Sequence, residues 1–350
     1  DCGLVGVHDG EKITAVNVLV GGGLGMTHRK EDTFARMGSQ LGSVAPEHAA
    51  EAVKTVVSIH RDFGNRSDRR HARLKYVIDE RGMDWFRDEF RKRADFPLNE
   101  WIDVGDMQLN DYLGKHEQGD GKFFYGVFVQ NGRVKDEGDE KTLSAFRAIA
   151  QQLNPTVILT PNQSIIFADL ADEDVAKLES ILAEHGVAGL DTIKGVRRFS
   201  MACPALPTCG LALAESERYL PDLIDRIEPV LAEHGLDDEA ITIRITGCPN
   251  GCARPYTADL AFVGRKPGVY DIFVGGRLAG DRMAELYAES VDDGDILAKL
   301  RPLFSAWASN RQGDESLGDF YNRAFADDEP RTKVTGSKEA ETFEKVSASM

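Results

Sequence analysis

The sequence predicts an α+β protein that contains two related modules with a smaller unit between them. Residues 15–24 and 269–278 resemble each other, because both are apolar strand patterns that run into Val-Gly-Gly. Each copy precedes a helical pattern, at residues 46–60 and 295–310. Residues 109–190 carry strand and helix signals of their own. These observations predict the following division of the chain: 1–108, 109–190, 191–330 and a disordered tail at 331–350.

Composition restricts the classes of function. The chain has 350 residues, 42% of them hydrophobic, so it can bury a sizeable core. Its formal net charge of −16 argues against general nucleic-acid binding, which requires a basic face. No apolar run approaches the roughly 18–20 residues of a membrane span. With only five cysteines and no secretory signal, the protein is expected in a reducing cytoplasm.

The first module opens with a strand pattern at residues 3–7 and reaches a glycine-rich loop at 21–25. A dinucleotide fingerprint needs Gly-x-Gly-x-x-Gly, and it fails because Met26 or His28 stands at the last position. Glycines after a strand let the backbone approach a flat cofactor, and a plain tight turn is the alternative explanation.

The first copy of the repeat lacks the portion that precedes the second copy. The chain also starts with Asp1 and runs directly into a strand pattern. We therefore expect the sequence to be the C-terminal part of a longer protein.

A basic segment follows at residues 65–75 of this acidic chain. Arg66, Arg69, Arg70 and Arg73 recur at helical spacing and are expected to share one helix face. Such a face is either solvated or binds carboxylates in bidentate fashion.

The middle unit is predicted from alternating strand and helix signals. A hairpin turn is expected at residues 130–132 and a second turn at 161–163. The expected strands and helices are these: strands at 123–129, 157–160 and 164–167, helices at 142–152 and 172–184.

Four of the five cysteines form two close pairs in the last module. Cys203 and Cys209 are separated by five residues, and Cys248 and Cys252 by three. Cys209 opens an apolar pattern that predicts a helix through residue 224, whose positive end favours a thiolate. The second pair follows a strand pattern at 241–245 and encloses a Pro-Asn-Gly turn. Close-set thiolates in such turns suit a cubane iron–sulfur cluster.

Other interpretations of the cysteines stay open. Structural zinc takes Cys-x2–4-Cys spacing, which the first pair does not fit. Two disulfides suit a small secreted domain, whereas this chain is long. Free core cysteines are common, but four of five in Gly/Pro-rich loops are difficult to assign to packing. Cys2 stands alone as an ordinary thiol.

The residues around both pairs resemble the sirohaem and [4Fe–4S] sulfite/nitrite reductase family. The resemblance rests on Met-Ala-Cys-Pro-Ala-Leu-Pro-Thr-Cys at 201–209 and Thr-Gly-Cys-Pro-Asn-Gly-Cys-Ala-Arg-Pro-Tyr at 246–256, and extends to about residue 325. It implies a fold of repeated sirohaem-binding modules with a ferredoxin-like half-domain at 109–190. It also implies that the four cysteines hold the cluster and that Cys252, the catalytic cysteine, bridges to the sirohaem iron.

The same resemblance implies where the cofactors lie. The glycine loop would pack against sirohaem, and the basic segment would meet the carboxylates of that cofactor. Gln163 stands where the family has a glutamine near the cofactors, although it is equally a turn residue. The implied cofactor contacts are Gly21, Gly22, Gly23, Asn65, Arg66, Arg69, Arg70, Arg73 and Asn250.

The implied activity is the assimilatory six-electron reduction of sulfite to sulfide, with electrons from ferredoxin or a flavoprotein reductase. Nitrite reduction to ammonia on the same cofactors is one alternative, and a non-catalytic Fe–S electron carrier is another. The Arg and Lys residues that grip the substrate in this family are expected upstream of Asp1. The chain alone is therefore expected to be a poor enzyme.

Overall fold

The first module is an antiparallel sheet covered by helices. The structure, a computed structural model, describes residues 1–105, 110–277, 279–326 and 333–335. The sheet has the strand order β1-β2-β4, and its apolar residues form a core with the helices. The elements of this module are β1 (Cys2–His8), β2 (Ile13–Val20), β3 (Phe34–Arg36), β4 (Ser39–Val44), α1 (Ala49–Phe63), α2 (Leu74–Arg81) and α3 (Met83–Arg93).

The middle unit is a four-stranded antiparallel sheet with two helices. Its strand order is β5-β6-β10-β9, so β9 is an edge strand. The predicted helices and the strand pair around 161–163 are confirmed. The elements are β5 (Gly114–Glu117), β6 (Phe123–Val127), β7 (Asp136–Glu137), β8 (Glu140–Lys141), α4 (Thr142–Leu153), β9 (Thr156–Leu159), β10 (Ile165–Leu170) and α5 (Asp172–Glu184).

The hairpin predicted at residues 130–132 is wrong. These residues form a single helical turn, and β6 pairs with β5 and β10 instead of with the next strand. The chain leaves the sheet here because the Asn131 side chain donates to the Glu217 carbonyl of the last module, at 2.7 Å.

The last module is a five-stranded mixed sheet in the order β11-β12-β13-β14-β15. β12 is parallel to both β11 and β13, and the later pairs are antiparallel. One face of the sheet packs against α7 and α8 in the largest apolar cluster described. The elements are α6 (Gly195–Arg198), β11 (Met201–Ala202), α7 (Leu220–Glu233), β12 (Ile243–Thr246), β13 (Leu260–Lys266), β14 (Val269–Val274), β15 (Glu285–Asp292), α8 (Ile296–Asn310) and α9 (Leu317–Phe325).

The internal repeat is visible in the topology. β2 lies between antiparallel neighbours β1 and β4, as β14 lies between β13 and β15. A helix follows each set, α1 in the first copy and α8 in the second. Leu278, the last residue of the second copy, lies outside the described residues.

The tail predicted to be disordered contains a short strand, β16 (Lys333–Thr335). It pairs antiparallel with β3, and the Val334 side chain is buried in the apolar cluster between the two modules. The prediction is therefore wrong for these three residues, and the rest of the tail lies outside the described residues. Within the described parts of the chain, no helix combines the length and the apolar character needed to cross a bilayer.

Candidate functional site

The first cysteine pair lies in a loop fixed to strand β12. The Cys203 N–H donates to the Ile245 carbonyl at 3.2 Å, which continues the short strand β11. The Cys209 N–H donates to the Ala205 carbonyl at 2.7 Å and closes the loop on itself. Both cysteines are partly buried.

The sequence predicts a helix from Cys209 to residue 224, and the start of that helix is wrong. The N–H groups of Leu213 and Ala214 donate to the Gly247 carbonyl, at 2.7 and 3.1 Å, so this stretch packs as a loop against the second cysteine segment. Helix α7 begins only at Leu220. Cys209 therefore does not lie at a helix N-terminus. The prediction that a helix dipole stabilises its thiolate is wrong.

The second cysteine pair lies in the turn that follows β12. A Cβ atom on Gly247 would lie 2.6 Å from the Ala205 side chain and 2.6 Å from the Ala214 carbonyl oxygen, so only glycine lets the two loops approach this closely. Gly251 has a φ of +68°, which suits the tight turn between the cysteines. Cys248 is buried and Cys252 is exposed.

The four thiols lie close enough to influence each other. The Gly247 N–H points at the Cys203 sulfur at 3.4 Å, which joins the two loops directly. Burial raises the pKa of the Cys248 thiol, and the neighbouring Cys203 and Cys209 raise it further. Burial also raises the pKa of Cys252, followed by the charges of Cys203, Cys248 and Cys209. Four thiolates in one place therefore require a positively charged partner.

The donor set suits an iron–sulfur cluster. Its four donors are all cysteine sulfurs, brought together from two loops, and thiolates are the usual ligands of such clusters.

The glycine loop of the first module lies against the second cysteine turn. Gly23 and Arg36 exchange two backbone hydrogen bonds, at 2.7 and 3.0 Å. The Met26 N–H donates to the Pro249 carbonyl at 2.9 Å, and the Tyr256 hydroxyl donates to the same oxygen at 3.1 Å. The structure thus places Leu24, Gly25 and Met26 against the turn that contains Asn250, and the predicted contacts Gly21, Gly22 and Gly23 lie just before them in the same loop.

The helix predicted for the basic segment is absent. Residues 65–73 form a loop with one helical turn at Arg69–His71, and α2 begins at Leu74. The Asn65 side chain accepts the N–H groups of Ser67 and Asp68, both at 2.9 Å, which stabilises a turn in place of a helix.

The four arginines consequently do not share a face. Arg66, Arg69 and Arg70 are exposed, and Arg70 pairs with Asp68. Arg73 alone among them reaches the glycine loop, where it donates to the Gly22 carbonyl at 3.5 Å and pairs with Asp1 at 3.0 Å.

Sequence reasoning did not single out Lys75, which lies under the glycine loop. Its ammonium group donates to the carbonyls of Gly23 at 3.2 Å, of Gly25 at 2.7 Å and of Phe34. Burial, followed by the charge of Arg73, lowers the pKa of Lys75 to about 8. In the sequence, the position of Lys75 at the end of the basic segment is the feature that could have identified it.

A second cation missed by sequence reasoning is Arg244, which is buried in β12. Its guanidinium donates to the Thr257 hydroxyl at 3.0 Å and to the Arg254 carbonyl at 3.2 Å. Its Nε and the Thr246 hydroxyl have no hydrogen-bond partner among the described residues. Burial, followed by the charge of Arg254, lowers the pKa of Arg244 to about 10. The signal was a charged residue inside the alternating Ile-Arg-Ile pattern.

A cleft of about 510 Å³ separates the two modules beside the glycine loop. Gly22, Gly23 and Arg36 line it from the first module, and Arg254 and Thr257 line it from the last. Burial lowers the pKa of both arginines, which nevertheless stay cationic near neutral pH. The cleft therefore has a glycine-lined wall with two arginines, and the carboxylates of Asp103 and Asp281 also line it.

Gln163 of the middle unit also reaches the site. Its side-chain amide donates to the Ala202 carbonyl at 2.7 Å, and its oxygen accepts the Ala202 N–H at 3.2 Å. Ala202 directly precedes Cys203.

Two family descriptions match the chain. "Nitrite and sulphite reductase 4Fe-4S domain" matches residues 1–98 and 195–324. "Nitrite/Sulfite reductase ferredoxin-like half domain" matches residues 116–185. The two matches alternate along the chain in the same way as the two modules and the middle unit.

Individual proteins that are similar to this chain agree with the family matches. The chain is 42% identical over 323 residues to the sulfite reductase [NADPH] hemoprotein beta-component of Staphylococcus carnosus, covering 92% of this chain and 57% of that protein. It is 44% identical over 331 residues to the sulfite reductase [ferredoxin] of Synechococcus elongatus, covering 93% and 53%. The solved structure of the Mycobacterium tuberculosis NirA protein superposes with a TM-score of 0.77 at 25% identity, covering 93% and 60%. The chain thus spans little more than half the length of these curated relatives.

Proposed function

Because the chain belongs to the nitrite and sulphite reductase 4Fe-4S family, we propose that the protein carrying it reduces sulfite to sulfide. The observation that carries the proposal is the meeting of four thiols from two loops beside a glycine-lined cleft. The relatives named as sulfite reductases, at 42% and 44% identity, support this substrate.

The proposed cofactors are a [4Fe–4S] cluster and sirohaem. Cys203, Cys209, Cys248 and Cys252 would hold the cluster, and the exposed Cys252 is the proposed bridge to the tetrapyrrole iron. When bound, these groups pass electrons to an anion at the iron. The chemistry of the donors supports the assignment, because thiolates are the usual ligands of iron–sulfur clusters.

The cleft provides the proposed contacts for the tetrapyrrole. Gly22 and Gly23 line the cleft and are the proposed contacts of a flat ring, with Gly21 just before them in the chain and Asn250 on the turn that meets the same loop. Arg73 lies beside this loop and is the best-placed carboxylate partner of the basic segment. Asn65, Arg66, Arg69 and Arg70 are proposed only as partners at the outer rim, because their side chains are exposed.

The remaining residues of the site hold its loops in place. Gly247 lets the two cysteine loops pack closely, and the Met26 and Tyr256 contacts hold the turn at Pro249. With a net charge of −16, the protein can attract an anionic substrate only through local cations such as Arg36 and Arg254 at the cleft.

The electron donor and the compartment are further parts of the proposal. One relative is named for NADPH and another for ferredoxin. We propose ferredoxin or a flavoprotein reductase as the donor, and an assay of each with the purified protein distinguishes them. A cytoplasmic location is supported by the five unpaired cysteines.

The test compares Cys252→Ser with Cys2→Ser, a matched change at a partly buried cysteine in β1. The protein as its organism produces it is purified anaerobically, and iron, sulfide and the visible spectrum are measured. The parent and Cys2→Ser should contain a cluster, show a tetrapyrrole Soret band and reduce sulfite faster than nitrite. Cys252→Ser should lose sulfite reduction by about 100-fold or more, in line with the loss of a metal ligand.

Three results would contradict the proposal. Zinc in place of iron would exclude the cluster. A cluster without a Soret band would indicate an electron carrier, and preference for nitrite would assign the alternative reaction.

A further inference from the structure

The turn of the middle unit between β9 and β10 contacts strand β11 at its unpaired edge. β11 pairs with β12 on one side only, so the outer N–H and carbonyl of Ala202 lack a strand partner. The side-chain amide of Gln163 fills this place with two hydrogen bonds, at 2.7 and 3.2 Å. Ala202 is buried, so water cannot replace these bonds.

The same turn contacts the second cysteine segment. The Arg254 guanidinium donates to the Pro161 carbonyl at 3.1 Å, and Arg254 follows Cys252 by two residues. One turn therefore contacts the residue before Cys203 and a residue shortly after Cys252.

The middle unit holds the Cys203 segment from the other side as well. The Glu217 N–H donates to the Cys203 carbonyl at 3.1 Å. The Glu217 carbonyl accepts the Asn131 side chain at 2.7 Å, and its carboxylate forms two 2.6 Å bonds with Arg133. The Cys203 backbone is thus fixed between two anchors from the middle unit.

The turn itself does not explain a glutamine at this position. Gln163 has a φ of +65°, a conformation that glycine or asparagine adopts more readily. Its long side chain is instead required to span the gap to Ala202.

We propose that Gln163 is a positioning residue for the cluster, which fixes the Ala202 backbone and thereby the direction of the Cys203 thiolate. The inference deepens the proposed function, since it rests on Cys203 being a cluster ligand. It assigns to the half-domain a direct part in holding the cluster.

The test compares Gln163→Met with Gln152→Met in the full-length protein that carries this chain. Methionine keeps the length of the side chain and removes both hydrogen bonds, and Gln152 is exposed at the end of α4. The cluster is followed by its visible absorption during incubation with an iron chelator, and its reduced form by electron paramagnetic resonance. Gln163→Met should lose the cluster about tenfold or more faster, as expected for a partner of a metal ligand, and its resonance should shift. Gln152→Met should match the parent.

A second variant guards against a general folding defect. Gln163→Glu keeps the side-chain length and an acceptor for the Ala202 N–H, but its second oxygen repels the Ala202 carbonyl, so it should also lose the cluster faster than the parent. Unchanged rates and spectra in both variants would overturn the inference. A parent protein without iron would instead refute the proposed function itself.

Discussion

Lys75 is a buried cation whose described hydrogen bonds all go to backbone carbonyls. Its ammonium group also lies 5.3 Å from the centre of the Phe34 ring and 5.2 Å from that of Tyr76. Carbonyl oxygens and ring faces stabilise a cation less than a carboxylate does, so burial dominates its pKa. Through the Gly23 and Gly25 carbonyls, this one side chain fixes the loop that contacts the Pro249 turn.

The lowered pKa of Lys75 predicts a dependence of stability on pH. The folded protein releases this proton near pH 8, whereas the unfolded chain holds it up to about 10.5, the ordinary value. Between these values the unfolded state binds more protons, so the free energy of unfolding contributed by Lys75 rises with pH. Denaturant unfolding at pH 8, 9 and 10 should show this rise, measured relative to Lys75→Met, in the parent and in Lys12→Met, an exposed control. Lys75→Met should lack it, and an identical pH dependence in all three proteins would contradict the assignment.

At the scale of elements, the turn that follows β12 and the loop before α7 form one packed unit. The Gly247 carbonyl accepts hydrogen bonds from the N–H groups of Leu213 and Ala214, and the Gly247 N–H donates to the Cys203 sulfur. The geometry of the cluster site is therefore set by the contact between a strand end and a loop rather than by either segment alone.

This contact predicts different effects at two glycines of the same site. Gly247→Ala would push a methyl group into Ala205 and the Ala214 carbonyl, and should lower the free energy of unfolding by about 1–3 kcal/mol, the usual effect of overpacking. Gly210→Ala meets no atom within 4 Å and should change it little. Denaturant unfolding and iron content of both variants provide the measurement. Equal stability of the two would show that the loops separate without cost.

The elements show where local patterns suffice. Strand and helix boundaries in the middle unit were predicted closely, because periodicity and turns are local. The helix expected at residues 65–73 failed because the Asn65 and Asp68 side chains bind nearby N–H groups and stabilise turns. The prediction that the helix begins at Cys209 failed because the N–H groups of Leu213 and Ala214 bind a carbonyl that is distant in the sequence.

At the scale of the whole molecule, the site lies where the two modules meet. Met26 and Ala35 of the first module share an apolar cluster with Tyr256 and Phe273 of the last, and Val334 of β16 closes it. The cysteine spacing predicted which residues gather there. The contacts of Lys75 with Gly23 and of Gln163 with Ala202 join positions far apart in the chain, so no local pattern could predict them.

The edge strand β9 has a consequence for the behaviour of the chain in solution. Its side chains are all exposed, including Val157, Ile158 and Leu159, and its outer backbone groups pair with no strand that the structure describes. A bare apolar edge is a template for intermolecular pairing, so the 350-residue chain should self-associate as its concentration rises. Leu159→Lys should suppress this in sedimentation velocity, whereas Leu143→Lys on α4 adds the same charge away from the edge and should not. A parent that sediments as a monomer at every concentration would contradict the prediction.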